Sequence, residues 1–187
     1  IKKALKNWEK YNSKVQFFHV GTQSEREEMH EYLKIPYEKI KIIPLGVDHD
    51  FFKPSVDKEL TRTQVLSELK IPNQKYFFHV SEMNFARKNQ IRLAEAYQMA
   101  RKNGLKHNLI IAGKHVPQIK KKIGHLPGIF FLDWVTNKQL LQLYQGAEAF
   151  VLPSIHEGFG IPLVESMCCG VPCISTNKHS PKHIIED

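Results

Sequence analysis

Cysteine is scarce in this 187-residue chain, with three in all. Cys168 and Cys169 are adjacent and Cys173 is close by, so they frame no disulfide-stapled domain, and a reducing compartment is the simpler reading. No apolar run approaches the ~20 residues that a spanning helix needs, and the lysine-rich start is no signal peptide. The chain is read as soluble or at most peripheral. Glycine is lacking where a dinucleotide fold would require it. The segment Ser81-Glu82-Met83-Asn84-Phe85-Ala86 has none, which argues against the Gly-X-Gly-X-X-Gly turn of a dehydrogenase. Metal-ligand spacing is lacking too: Cys168, Cys169 and Cys173 form no usual pattern with His156, His179 or His183. Cys168 is assigned to the apolar side of its helix, and core packing is the expected role of the cysteines. Neither an internal repeat nor a low-complexity segment is present.

What is present is 42% hydrophobic residues, enough for a sizeable core, and a formal charge of +8. Residues 1–60 hold 11 basic and 10 acidic side chains, and the remainder holds 16 and 9, so the positive field belongs to the later part. A nucleic acid, an anionic membrane surface or a nucleoside diphosphate would each suit that field. The patterning predicts a basic helix over 1–11, a strand over 15–20, a polar helix over 24–33 and a strand over 40–43. A crossing segment, Phe51-Phe52-Lys53-Pro54-Ser55, then leads to a helix over 61–69. From Tyr76 the alternation becomes regular: strands over 76–80, 109–112, 129–131, 149–152 and 171–175, with helices over 90–102, 118–123, 137–146 and 161–170. Strands without polar positions that alternate with helices predict an α/β fold with a doubly wound parallel sheet. The chain lacks an initial methionine and stops within a helical pattern. It is therefore expected to be a piece of a longer protein, with the end of one domain over 1–52 and most of another over 53–187, truncated at its C-terminus.

The segment most informative about function is Ser154-Ile155-His156-Glu157-Gly158-Phe159-Gly160-Ile161-Pro162-Leu163-Val164-Glu165-Ser166. Two carboxylates stand around a Gly-Phe-Gly turn between a strand and a helix whose first turn accepts Pro162. Free amides and the helix dipole at such a turn suit an anion, phosphate above all. Carboxylates beside a phosphate would be repelled by it, so Glu157 and Glu165 are expected to accept hydrogen bonds from hydroxyls of the same ligand. Read alone, the two are a solvated loop charge and a helix-start charge. The preceding strand and the glycine turn favour the binding role, and phosphate plus hydroxyls points to a nucleotide sugar. Arg87-Lys88, Gly113-Lys114 and Asp133 to Val135 all fall after strands, where ligands of such sheets bind. Lys120-Lys121-Lys122 reads as a wet helix face, and Asp48-His49-Asp50 as a turn or cap rather than a metal triplet.

With Phe150-Val151-Leu152-Pro153-Ser154, Glu157-Gly158-Phe159-Gly160, Glu165-Ser166-Met167 and Gly170-Val171-Pro172, the chain resembles the donor-site signature of retaining GT-B glycosyltransferases of family 4. Arg87-Lys88-Asn89 resembles the diphosphate-binding loop of that group, in wording close to its mannosyltransferase-like members, and Pro44-Leu45-Gly46-Val47-Asp48 resembles its interdomain segment. The resemblance runs from about residue 15 to the end. It implies a Rossmann-like donor domain plus the end of a second such domain. The activity implied is sugar transfer from a nucleoside-diphosphate sugar to a hydroxyl acceptor, a glycan or lipid-linked glycan of polysaccharide biosynthesis, with retention. By the same resemblance Glu157 contacts the transferred sugar and Glu165 the ribose. Amides of Phe159, Gly160 and Ile161 meet sugar or phosphate oxygens, with Gly158 beside them in the donor site, Lys88 and Arg87 meet the diphosphate, and Trp134 and Val135 the base. No metal or other cofactor is expected, and no nucleic-acid partner. The implied location is cytoplasmic, with peripheral contact at the inner face of an anionic membrane. Two positions depart from the family pattern: Glu82 stands where many relatives have arginine, which leaves Arg87 as the second cation, and Lys182 stands where glutamate is usual. The histidine-bearing front of the acceptor domain lies outside the chain, so the chain by itself is expected to bind donor without transferring sugar. The alternatives weighed are a nucleotide-binding Rossmann module without transferase activity and a basic nucleic-acid-binding domain.

Overall fold

Strand and helix patterning is realised closely in the computed structural model, which describes residues 14–82, 85–114 and 116–185. The helix expected over 1–11 lies outside the described residues. Two units divide between Leu45 and Gly46. In the first, β1 (Phe18–Val20) and β2 (Ile40–Ile42) pair in parallel around α1 (Gln23–Leu33). Thr22 caps α1 by accepting from the Glu25 amide at 3.3 Å. Val20, Ile35 and Ile40 form a small core beneath it.

The second unit carries α2 (Lys58–Glu68), β3 (Tyr76–Val80), a four-residue α3 (Phe85–Lys88) and α4 (Gln90–Lys102). There follow β4 (Asn108–Ala112), α5 (Val116–Ile123), β5 (Ile129–Leu132), α6 (Asn137–Gly146), β6 (Ala149–Leu152), α7 (Ile161–Cys168), β7 (Cys173–Ser175) and α8 (His179–Ile184). The five strands are parallel in the order β5-β4-β3-β6-β7. Their largely apolar runs are explained by burial on both faces. Phe78, Ile110 and Ala112 join Leu143, Tyr144 and Leu163 in one core, whereas Leu109 and Ile111 join Leu93, Ala94 and Tyr97 in the other. On the first face Tyr144 meets Phe78 and Phe150 edge-on, with centroids 5.2 and 5.4 Å apart.

Several boundaries differ from expectation for local reasons. Helix α2 begins at Lys58 rather than Thr61 because Asp57 accepts from the Leu60 amide at 2.9 Å and caps it there. Helix α7 stops at Cys168 rather than Gly170: Gly170, at φ +71°, donates to Met167 O and Val171 donates to Ser166 O, a closure that needs the left-handed region. Strand β7 accordingly starts at Cys173. The residue of the cysteine pair that enters the core is Cys169, not Cys168. Cys168 is half-buried, with its sulfur 3.4 Å from His49 Nδ1. The crossing segment belongs to the second unit, where Phe52 packs on Tyr144 at 6.0 Å between centroids, so the units part before the 52/53 boundary drawn from the sequence. Asp48 Oδ1 accepts from the amides of Asp50 and Phe51, the turn role expected of it. Lys120 and Lys121 are exposed on α5. Among the described residues no helix is long and apolar enough to cross a membrane.

His79 of β3 has no measurable exposure and is neutral, its pKa lowered from 6.5 to about 4 by burial, against the opposing Val151 carbonyl bond. The unfolded chain takes up this proton near pH 6.5 and the folded chain does not, so stability falls as pH drops from about 6.5 towards 4. The histidine's share is roughly 3 kcal/mol. Denaturant titrations at pH 7 and pH 4.5 are expected to show a smaller acid loss for His79→Gln than for the parent.

Candidate active site

The strand order reverses between β3 and β6, so connections from these neighbours run outward in opposite directions. Crevices that bind ligands in open parallel sheets form at such a point, beyond the carboxyl ends of the strands. Helix α3 follows β3 there, and the 153–160 loop follows β6. The two connections are clasped: the Ile155 amide donates to the Arg87 carbonyl at 2.8 Å, and Asn89 Nδ2 donates to the Pro153 carbonyl at 3.1 Å. Asn89 sits at φ 60°, a left-handed conformation that asparagine tolerates better than most residues.

This clasp brings Lys88 to Glu157, 69 positions away. Lys88 and Glu157 are 8% and 6% exposed, and Lys88 Nζ donates to Glu157 Oε1 at 2.5 Å. The Ser154 hydroxyl donates to the same oxygen at 2.7 Å, and the Arg87 guanidinium stands 4.0 Å from Oε2. Charges taken so far from water must be paired, and here each satisfies the other. The finding revises the picture of a loop carboxylate waiting for ligand hydroxyls, because Oε1 is already engaged by protein donors. Arg87 and Lys88 also lie on α3 rather than in a loop, Arg87 on the exposed side.

The Gly158-Phe159-Gly160 turn leads into α7 as expected. Gly160 caps the helix at φ +99°, with Leu163 Cδ1 only 3.4 Å from where a Cβ would stand. Ile161 is exposed and Pro162 occupies the first turn, while the Gly158 carbonyl accepts from the Ser180 hydroxyl. One turn into α7, Glu165 Oε2 accepts from the buried Tyr144 hydroxyl at 2.7 Å. Burial raises the Glu165 pKa, and the tyrosine bond acts against that rise. Glu165 lines a cavity of about 320 Å³ with Ser81 and Glu82 after β3, Lys114 after β4, Trp134 and Val135 after β5, and Pro162.

The expected residues thus fall into two groups. Lys88, Arg87 and Glu157 cluster at the ends of β3 and β6, whereas Trp134, Val135 and Glu165 share the cavity over β3, β4 and β5. Lys88 and Glu157 do not line that cavity. A larger cavity, about 490 Å³, runs beside edge strand β7 and contains neither group. Converging charges mark the switch point as the site, and the β7 cavity has none of them but Lys182. Sequence reading assigned no role to Ser154 or Tyr144. Ser154 stood inside the quoted motif, and its spacing of three from Glu157 was an available signal. Tyr144, in an apolar helix 21 positions from Glu165, carried none.

The sequence model of the family described as Glycosyl transferases group 1 matches residues 62–187. The chain belongs to this family, and its parallel sheet is the Rossmann-like architecture of GT-B glycosyltransferases. O-antigen chain mannosyltransferase B of Escherichia coli is 29% identical over 87% of the chain and 43% of its own length. Serotype-specific mannosyltransferase WbdA of E. coli is 29% identical over 88% of the chain and 21% of its own. The chain therefore spans less than half of these relatives. Among solved structures, Anabaena Alr3699/HepE in complex with UDP and glucose superposes with a TM-score of 0.75 at 18% identity, covering 92% of this chain and 47% of that one. A glycosyltransferase from Rickettsia africae gives 0.77 at 19%, covering 96% and 50%.

Proposed function

We propose that the chain is the donor-binding part of an enzyme that moves a sugar from a nucleoside-diphosphate sugar to a hydroxyl of a glycan or lipid-linked glycan, with retention at the anomeric carbon. The Lys88–Glu157 pair at the switch point, with Arg87 beside it, carries this reading. Two cations, Lys88 and Arg87, stand at one carboxylate where a diphosphate would lie. As the bond from the anomeric carbon to the phosphate oxygen breaks, its electron pair stays on the diphosphate, and Lys88 and Arg87 meet the growing charge. The acceptor oxygen forms the new bond and passes its proton to the departing diphosphate oxygen. Glu157 faces the sugar, Glu165 holds ribose hydroxyls, the turn amides from Gly158 to Ile161 meet sugar or phosphate oxygens, and the base lies against Trp134 and Val135. The mannosyltransferase names of the relatives and the UDP held by HepE support the class of donor. Nucleic acid has no part in the proposal. The location proposed is the cytoplasm, with the basic surface in peripheral contact with an anionic membrane.

Titration with GDP, UDP, ADP, dinucleotides and oligonucleotides tests the reading. Micromolar affinity for one diphosphate and little for dinucleotides or DNA is expected, and the reverse ranking would sink it. Because side chains and amides are proposed to replace a cation, transfer by the full-length enzyme should persist in strong chelator. Complete loss restored by manganese would overturn that part. Glu165→Ala should weaken nucleoside diphosphate and whole donor alike, by about ten- to a hundredfold for one lost charged-group hydrogen bond. Calorimetry with both ligands checks it, and an effect confined to the whole donor would remove Glu165 from the ribose.

A further inference from the structure

One buried polar chain beneath the pair has no role in the mechanism above. His79 Nδ1 lies 2.8 Å from the Val151 carbonyl, its Nε2 lies 2.8 Å from Ser81 Oγ, and Gln90 Nε2 lies 3.0 Å from the same hydroxyl oxygen. His79 and Gln90 are fully buried and Ser81 is 8% exposed. Proton positions follow from the partners. A carbonyl only accepts, so Nδ1 carries the ring proton, and the neutral ring offers Nε2 as an acceptor. Ser81 must then donate to Nε2, which leaves its oxygen to accept from Gln90. Gln90 Nε2 also lies 3.5 Å from the Glu82 carbonyl, and Gln90 Oε1 has no hydrogen-bond partner among the described residues. Only this direction of donation satisfies both His79 and Ser81 while the ring is neutral.

Ser81 and Gln90 are the two ends of the segment that bears Lys88. Their bond closes the base of that segment, and Asn89, next to Gln90, fastens it to the Pro153 carbonyl. Histidine supplies a donor on one edge and an acceptor on the other, at a fixed separation that phenylalanine cannot reproduce. We propose that His79 is a positioning residue which, by orienting the Ser81 hydroxyl that holds Gln90, sets the α3-bearing connection that places Lys88 against Glu157. The proposal rests on the reading of Lys88 as the diphosphate cation.

Two replacements separate positioning from packing. His79→Phe keeps volume and loses both hydrogen bonds. His79→Gln loses volume but retains a donor and an acceptor. In the full-length protein, nitrogen-15 resonance should show a slowly exchanging Lys88 ammonium, identified by its loss in Lys88→Arg. That signal is expected to vanish in His79→Phe and persist in His79→Gln. Turnover of the best donor among GDP-mannose, UDP-glucose and ADP-glucose should fall about tenfold in His79→Phe, with donor KM within about twofold, and return largely in His79→Gln even if the latter melts lower. An ammonium signal and turnover unchanged in His79→Phe, or turnover that follows melting temperature instead of hydrogen bonding, would overturn the proposal. So would a parent protein without the protected ammonium. If the parent turns over no donor, the transferase reading fails, and the ammonium signal still decides the positioning role.

Discussion

Lys88→Ala is expected to lower sugar transfer about a hundredfold, the cost of removing a preorganised charge from a developing anion. It should also lower the unfolding free energy by roughly 3 kcal/mol, the low end for one partner removed from a buried pair. Glu157, 6% exposed in the parent, would keep the Ser154 hydroxyl and the more distant Arg87 for support. The two losses have different remedies. Adding Glu157→Gln to Lys88→Met takes away the stranded charge, so denaturant stability should recover while transfer stays impaired. If Lys88→Ala unfolds at the parent's midpoint, the pair is solvated and its burial does not govern stability.

Glu157→Gln should cut transfer by about two orders of magnitude, yet tighten binding of bare nucleoside diphosphate by about tenfold. Glu157 Oε1 holds the Lys88 ammonium at 2.5 Å, so carboxylate and diphosphate compete for one cation. Replacing the charge by an amide frees Lys88 and removes a like-charge repulsion, worth roughly 1–3 kcal/mol for charges a few ångströms apart in partly screened surroundings. Calorimetry with the diphosphate and single-turnover transfer with the whole donor give the two numbers. Weaker diphosphate binding would mean that Glu157 aims Lys88 at the phosphate rather than withholding it.

Much of this architecture was legible because strands buried on both faces leave a plain mark. Ala149–Leu152 could be read as a run without a polar position and Tyr76–Val80 as one broken only at His79, and the Gly-Phe-Gly turn announced the start of α7. His79 is the telling exception: a polar residue inside such a run looked like part of the strand, and nothing adjacent revealed its contacts with Val151 and Ser81. Helix α3 has four residues, too few for any periodicity, so Arg87 and Lys88 were placed in a loop. The pairing of Lys88 with Glu157 depends on which strands become neighbours, and no local pattern carries the order β3-β6. Asp57 caps α2 so that it starts at Lys58, ahead of Thr61, where the sequence pattern places the helix start.

The clasp between the connections after β3 and β6 makes them one mechanical body. The Ile155 amide reaches across the sheet's midline to the Arg87 carbonyl, and the Asn89 side chain returns to Pro153. A displacement of the segment bearing Lys88 is therefore shared with the backbone leading to Glu157. The Ile155 proton acts as a gauge on that linkage: its exchange with solvent reads how often the clasp opens.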